Sequence, residues 1–85
     1  MKSSTTSDFW RLYRGLPPEV RQQARKAYRL WMENPGHPSL RFERKGDYWS
    51  VRINRGHRAL GREHAGTLYW FWIGPHDEYE RLINP

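Results

Sequence analysis

Apolar residues near the start of the chain recur at helical spacing. Val20, Ala24, Ala27 and Trp31 fall at i, i+4, i+7 and i+11, which is one face of a helix. Tyr28 and Leu30 widen that face, while Arg21, Arg25, Lys26 and Arg29 lie largely outside it. Pro17 and Pro18 suit the first turn, where a missing N–H costs nothing, and Asn34-Pro35-Gly36 stops the helix. Ahead of it, Ser7 or Asp8 caps a shorter helix through Leu12 and Tyr13, ended by Gly15.

From Leu40 the period becomes two. Leu40 and Phe42 alternate with Arg41 and Glu43, Lys45-Gly46-Asp47 makes a turn, and Trp49, Val51 and Ile53 alternate with Ser50, Arg52 and Asn54. Arg55-Gly56 reads as a turn or bulge before a weaker strand from His57 to Arg62, with Ala59 and Gly61 on one face. A turn over Glu63 to Gly66 leads into Thr67 to Ile73, a continuous apolar run that predicts a strand buried on both faces. Gly74-Pro75 ends it. The order predicts an α+β fold, two N-terminal helices packed on one face of a twisted antiparallel sheet, as one domain over residues 1–85. Trp49, Val51 and Ile53 then face the helices, and Arg52 projects from the open face.

The mean hydropathy of −1.05 is low for a globular chain. Five Trp, five Tyr and three Phe nevertheless supply a core, which argues against disorder. With no cysteine there is neither a disulfide framework nor a thiolate metal site. No apolar stretch approaches the length of a membrane span and the N-terminus lacks the apolar core of a secretion signal, so the expected setting is cytoplasmic, away from membranes. The net charge is +6, and twelve of the fifteen basic residues are Arg, the residue that forks onto phosphate and stacks flat on bases. Charge is uneven along the chain. Residues 74–85 hold Arg81 against Asp77, Glu78 and Glu80, whereas the rest is strongly basic. A polyanionic partner fits this balance.

Four residues stand out as chemistry. Arg52 and Arg58 sit on consecutive strands joined by a short connection, so they can lie side by side and clamp a phosphate. His76 follows the last strand and suits proton transfer near neutral pH, and Tyr79 lies three residues on. Plainer readings stand beside these: each Arg can pair with Glu43 or Glu63 across a strand, His76 can open a helix, and Tyr79 can pack the end of the sheet. Arg41, Arg44, Lys45, Arg55 and Arg62 are further candidates for binding nucleic acid. His37, His57, His64 and His76 are too scattered for a zinc motif, and Asp77, Glu78 and Glu80 read as a solvated acidic tail. No metal or other cofactor is expected.

The stretches Leu40-Arg41-Phe42-Glu43, Tyr48-Trp49-Ser50-Val51-Arg52-Ile53, His57-Arg58-Ala59-Leu60 and Ile73-Gly74-Pro75-His76-Asp77-Glu78-Tyr79 together resemble the RelE/ParE toxin superfamily. The resemblance runs from about Phe9 to Ile83. It implies two helices on a twisted antiparallel sheet, and the toxin half of a type II toxin–antitoxin pair with a cognate antitoxin protein as partner. Ribonuclease members of the superfamily cleave messenger RNA, usually on the ribosome, by 2′-hydroxyl attack without a metal. Gyrase-poisoning members act on DNA gyrase instead, and a non-catalytic binding homologue is a further alternative. By position Arg52 and Arg58 match the phosphate-contacting arginines, His76 the residue after the last strand, and Tyr79 the C-terminal tyrosine. This chain departs from the pattern in three ways. Its N-terminal strand is reduced to something like Lys2–Thr6, its sheet half offers only Lys45, and it ends too soon after Tyr79 for a C-terminal helix to shape the site.

Overall fold

A computed structural model describes residues 2–85. The elements run β1 (Lys2–Thr5), α1 (Ser7–Arg14), α2 (Pro18–Glu33), a single 3₁₀ turn (Pro38–Leu40), β2 (Glu43–Lys45), β3 (Tyr48–Asn54), β4 (His57–His64), β5 (Thr67–Pro75) and α3 (His76–Ile83). The strands form one sheet in the order β1-β5-β4-β3-β2. The expected α+β layering holds, with Val20, Ala24, Ala27 and Trp31 as the buried face of α2.

Four local expectations are corrected. The sheet is mixed: β1 runs parallel to β5, with Lys2 opposite Thr67 and Thr5 opposite Trp70. As an edge strand β1 owes its place to backbone hydrogen bonds, so it carries no apolar alternation to read. Leu40 lies in the 3₁₀ turn, not a strand, and Arg41 leaves that turn in a left-handed conformation (φ 45°). The last residues do form a helix. Asp77 and Glu78 occupy its first turn and Arg81 its last, which matches the helix dipole at both ends. In α1 the capping side chain is Thr6, which accepts a hydrogen bond from the Phe9 N–H at 3.2 Å.

Two bulges decide which side chains share a face. In β3 the register slips between Arg52 and Asn54, leaving Arg52 directly opposite Arg58. In β5 Phe71 is the extra residue, because Leu60 pairs with Trp72 and Gly61 with Trp70. Leu68, Trp70 and Ile73 therefore face the helices together with Val51 and Ala59. Phe71 and Trp72 turn to the other face, where Leu60, Trp72 and Tyr79 form a second small core. Trp31 knits the main core, meeting Trp70 edge-on at 5.5 Å and Phe42 at 5.6 Å between ring centroids. The indole nitrogens of Trp31, Trp49 and Trp70 are buried without a hydrogen-bond partner, so ring packing here outweighs three unmet donors.

Gly74 is required by this arrangement. A Cβ there would stand 2.7 Å from the Trp72 ring. Gly74→Ala is expected to push that ring off Leu60 and cost about 1–3 kcal/mol, read as a lower urea midpoint; an unchanged midpoint would mean the ring has room to move.

Candidate functional site

The second small core positions the site. Tyr79 on α3 is 4% exposed and packs on Leu60 and Trp72, while the His76 N–H donates to the Gly56 carbonyl at 2.8 Å. One contact seats the helix on the sheet and the other ties its first residue to the β3–β4 turn. Between α3, β3 and β4 opens a cleft of about 390 Å³. Arg52, Arg58, His76 and Tyr79 all line it, together with Arg41, Lys45, Glu43, Ser50 and Glu80.

The two central arginines are cross-strand partners, Arg52 opposite Arg58. Like charges so placed repel, and the fold answers with backbone acceptors. Nη1 of Arg58 donates to the Asn54 carbonyl at 2.7 Å and the His57 carbonyl at 2.9 Å. Those bonds fix the guanidinium while its charge stays uncompensated. Partial burial, and then the charge of Arg52, hold Arg58 below the ordinary guanidinium pKa. It remains a cation, since guanidinium does not lose its proton in proteins. Among the described residues neither arginine has a carboxylate partner; Glu43 pairs with Lys45 at 3.0 Å instead. That hydrogen bond, with the Glu43 charge, raises the Lys45 pKa.

On the helical side, Nε2 of His76 meets Glu80 Oε1 at 3.2 Å, one turn along α3. The Tyr79 ring lies 5.6 Å from the His76 ring. Ser50 Oγ donates to the Tyr79 hydroxyl oxygen at 2.8 Å, which leaves the phenolic proton free to donate into the cleft. With its ring buried, Tyr79 offers the cleft a hydroxyl and not a stacking face.

The remaining basic candidates divide. Arg41 and Lys45 join the cleft. Arg44 donates to the Gly46 carbonyl and lies over the Trp49 ring at 5.9 Å, on the helix-covered side. Arg55 is in the β3–β4 turn and lines a separate hollow with Gln23 and Lys26 of α2. Arg62 is on the cleft's face but farther along β4, over Tyr48. Ser50 and Glu80 are cleft residues that were not among the sequence candidates. Ser50 shares the parity of Arg52, and Glu80 stands at i+4 from His76, a pairing visible only once α3 is known to be helical. No group of residues suited to a metal ion occurs among the described residues.

The fold is that of a small α+β domain with a basic cleft at one end of its sheet. The model of the ParE-like toxin domain matches residues 18–81, and the chain belongs to that family. Among solved structures it is similar to a YoeB/ParE toxin from Agrobacterium tumefaciens, at 24% identity and a TM-score of 0.66, covering 89% of this chain and 99% of that one. The RelB-RelE antitoxin-toxin complex from Methanococcus jannaschii gives a TM-score of 0.71 at 12% identity, over 95% and 98% of the two chains. The intact E. coli RelBE toxin-antitoxin complex gives 0.63 at 16% identity, over 87% and 94%. No curated protein matches the chain.

The Ser50–Tyr79 hydrogen bond is open to direct measurement. Ser50→Ala and Tyr79→Phe should each lose about 0.5–1.5 kcal/mol through that bond, and the double variant should cost clearly less than the sum. Strict additivity in denaturant unfolding would mean that the two hydroxyls do not act together.

Proposed function

We propose that the chain is the toxin of a type II toxin–antitoxin pair and acts as a metal-independent endoribonuclease on messenger RNA. The observation that carries this reading is the pair of carboxylate-free guanidinium groups, Arg52 and Arg58, facing each other at a cleft that also receives an imidazole and a phenol from α3. Such a pair suits a phosphodiester: the two forks bind the non-bridging oxygens and stabilise the charge that grows on them in the transition state. The 2′-hydroxyl attacks the adjacent phosphorus, the bond to the 5′-oxygen breaks, and a 2′,3′-cyclic phosphate remains. His76, held by Glu80, accepts the 2′-hydroxyl proton. The departing 5′-oxygen takes the proton of Tyr79, and the Ser50 hydrogen bond stabilises the phenolate left behind. Arg41 and Lys45 hold the flanking backbone.

Two of the similar structures are titled as toxin–antitoxin complexes, which supports a small antitoxin as the neutralising partner here. A segment that silences this cleft would bring Asp or Glu to Arg52 and Arg58.

Induced expression followed by RNA profiling tests the reading. The wild type is expected to produce new cuts in translated messages. Arg52→Ala and Arg58→Ala, folded by circular dichroism, are expected to slow cleavage about 10²–10³-fold and relieve growth arrest. Intact messages with DNA-damage signalling would place the target at DNA gyrase instead. Two folded and fully toxic variants would refute the site.

A further inference from the structure

The face that carries the cleft continues past α3 to a second, separate feature. Along β4, Arg58, Leu60 and Arg62 have the same parity, and β3 places Tyr48 two positions from Ser50. The guanidinium of Arg62 stands over two rings, 5.2 Å from the Tyr48 centroid and 5.9 Å from that of Phe71, and donates to the Tyr48 hydroxyl at 3.3 Å. Tyr48 and Phe71 are in turn packed together at 5.3 Å. The outer side of the guanidinium is exposed, and it borders a shallow hollow of about 460 Å³ with His64, Tyr69 and Phe71. No acidic side chain lines this hollow among the described residues.

We propose that Arg62, seated on Tyr48 and Phe71, is a nucleobase-stacking subsite that takes the single-stranded RNA running out of the cleft. The inference rests on the nuclease reading for its ligand and extends it to residues that reading does not use. A guanidinium already layered on aromatic rings presents a flat cationic surface, which is the shape and charge a nucleobase stacks on. Because its position is held by the rings and by the Tyr48 hydroxyl, little side-chain freedom is lost when a base arrives. Arg58 and Arg62 are four steps apart along β4, about 13 Å at strand rise. That is about four nucleotides at the ~3.4 Å spacing of a stacked strand, and fewer if the strand is drawn out. The subsite therefore reads a base beyond the phosphate held at the cleft. The hollow beside Arg62 is lined by the rings of Tyr69 and Phe71 and holds no acidic side chain, so aromatic surface and positive charge meet the base and the phosphate of one strand together.

Binding of 2′-O-methyl oligoadenylates, which lack the attacking hydroxyl, separates this subsite from the cleft. The probes are a dinucleotide and an octanucleotide, titrated by fluorescence anisotropy at one salt concentration. The octanucleotide is expected to bind wild type at least about tenfold more tightly than the dinucleotide. Arg62→Ala is expected to lose roughly fivefold or more of that advantage while leaving the dinucleotide unchanged. Arg62→Lys, which keeps the charge but not the plane, is expected to behave like Arg62→Ala. A lysine variant that binds as wild type would reduce Arg62 to a phosphate contact and overturn stacking. An alanine variant that binds as wild type would give this surface to a protein partner, and overturns the proposal as well. Arg62 is exposed, so both variants should fold, and circular dichroism checks this. Dinucleotide binding that ignores Arg52→Ala contradicts the cleft assignment itself, a different failure, and removes the subsite with it.

Discussion

Leu60 and Trp72 form a second small core that α1 reaches only through Leu12, and covering it is what brings α3 into place. Burying two such side chains is worth several kcal/mol, more than enough to dock a helix of eight residues that would be marginal alone. Tyr79 provides the cover, and the hydrogen bond from His76 to Gly56 sets where the helix begins. The chemistry follows from that packing. Once Tyr79 lies on Leu60, its hydroxyl emerges beside Ser50, and His76 stands over the strand ends that carry Arg52 and Arg58.

The β-bulges make this possible. The irregularity in β3 lies after Arg52 and leaves the Arg52–Arg58 pairing intact. The one in β5 sends Phe71 and Trp72 to the same face, giving that face enough apolar surface to hold α3 at one end and a ring platform at the other. The electrostatic cost is concentrated where two guanidinium groups meet. Carbonyl groups of the β3–β4 turn offset it without adding a carboxylate, so the positive charge remains available to a ligand.

Much of this was legible in the sequence where one physical rule dominates. The face of α2 followed from spacing alone, because Val20, Ala24, Ala27 and Trp31 have only the sheet to pack against. Alternation placed Trp49, Val51 and Ile53 toward the helices and Arg52 away from them. The misses share a cause. β1 is held by backbone pairing at an edge, which leaves no hydrophobic signature. α3 depends on tertiary contacts made by Tyr79 and Ile83, in a segment whose charges read equally well as a solvated tail. Ser50 and Glu80 escaped notice because their roles come from partners 29 and 4 residues away, Tyr79 and His76. Of the nine candidate residues three lie outside the cleft: Arg44 is on the helix-covered face, Arg55 is in the β3–β4 turn, and Arg62 is on the cleft's face but farther along β4.

The central claim is that Arg52 and Arg58 are held apart from carboxylates so that together they grip a phosphate. Thermal unfolding in a series of inorganic phosphate concentrations, at constant ionic strength, tests it without any nucleic acid. Phosphate bound between the two groups stabilises the folded state by mass action, so the melting temperature of the wild type should climb with phosphate. In Arg52→Ala, whose fold keeps both cores, it should stay flat. A melting temperature that ignores phosphate, or that climbs equally in the variant, would contradict the clamp.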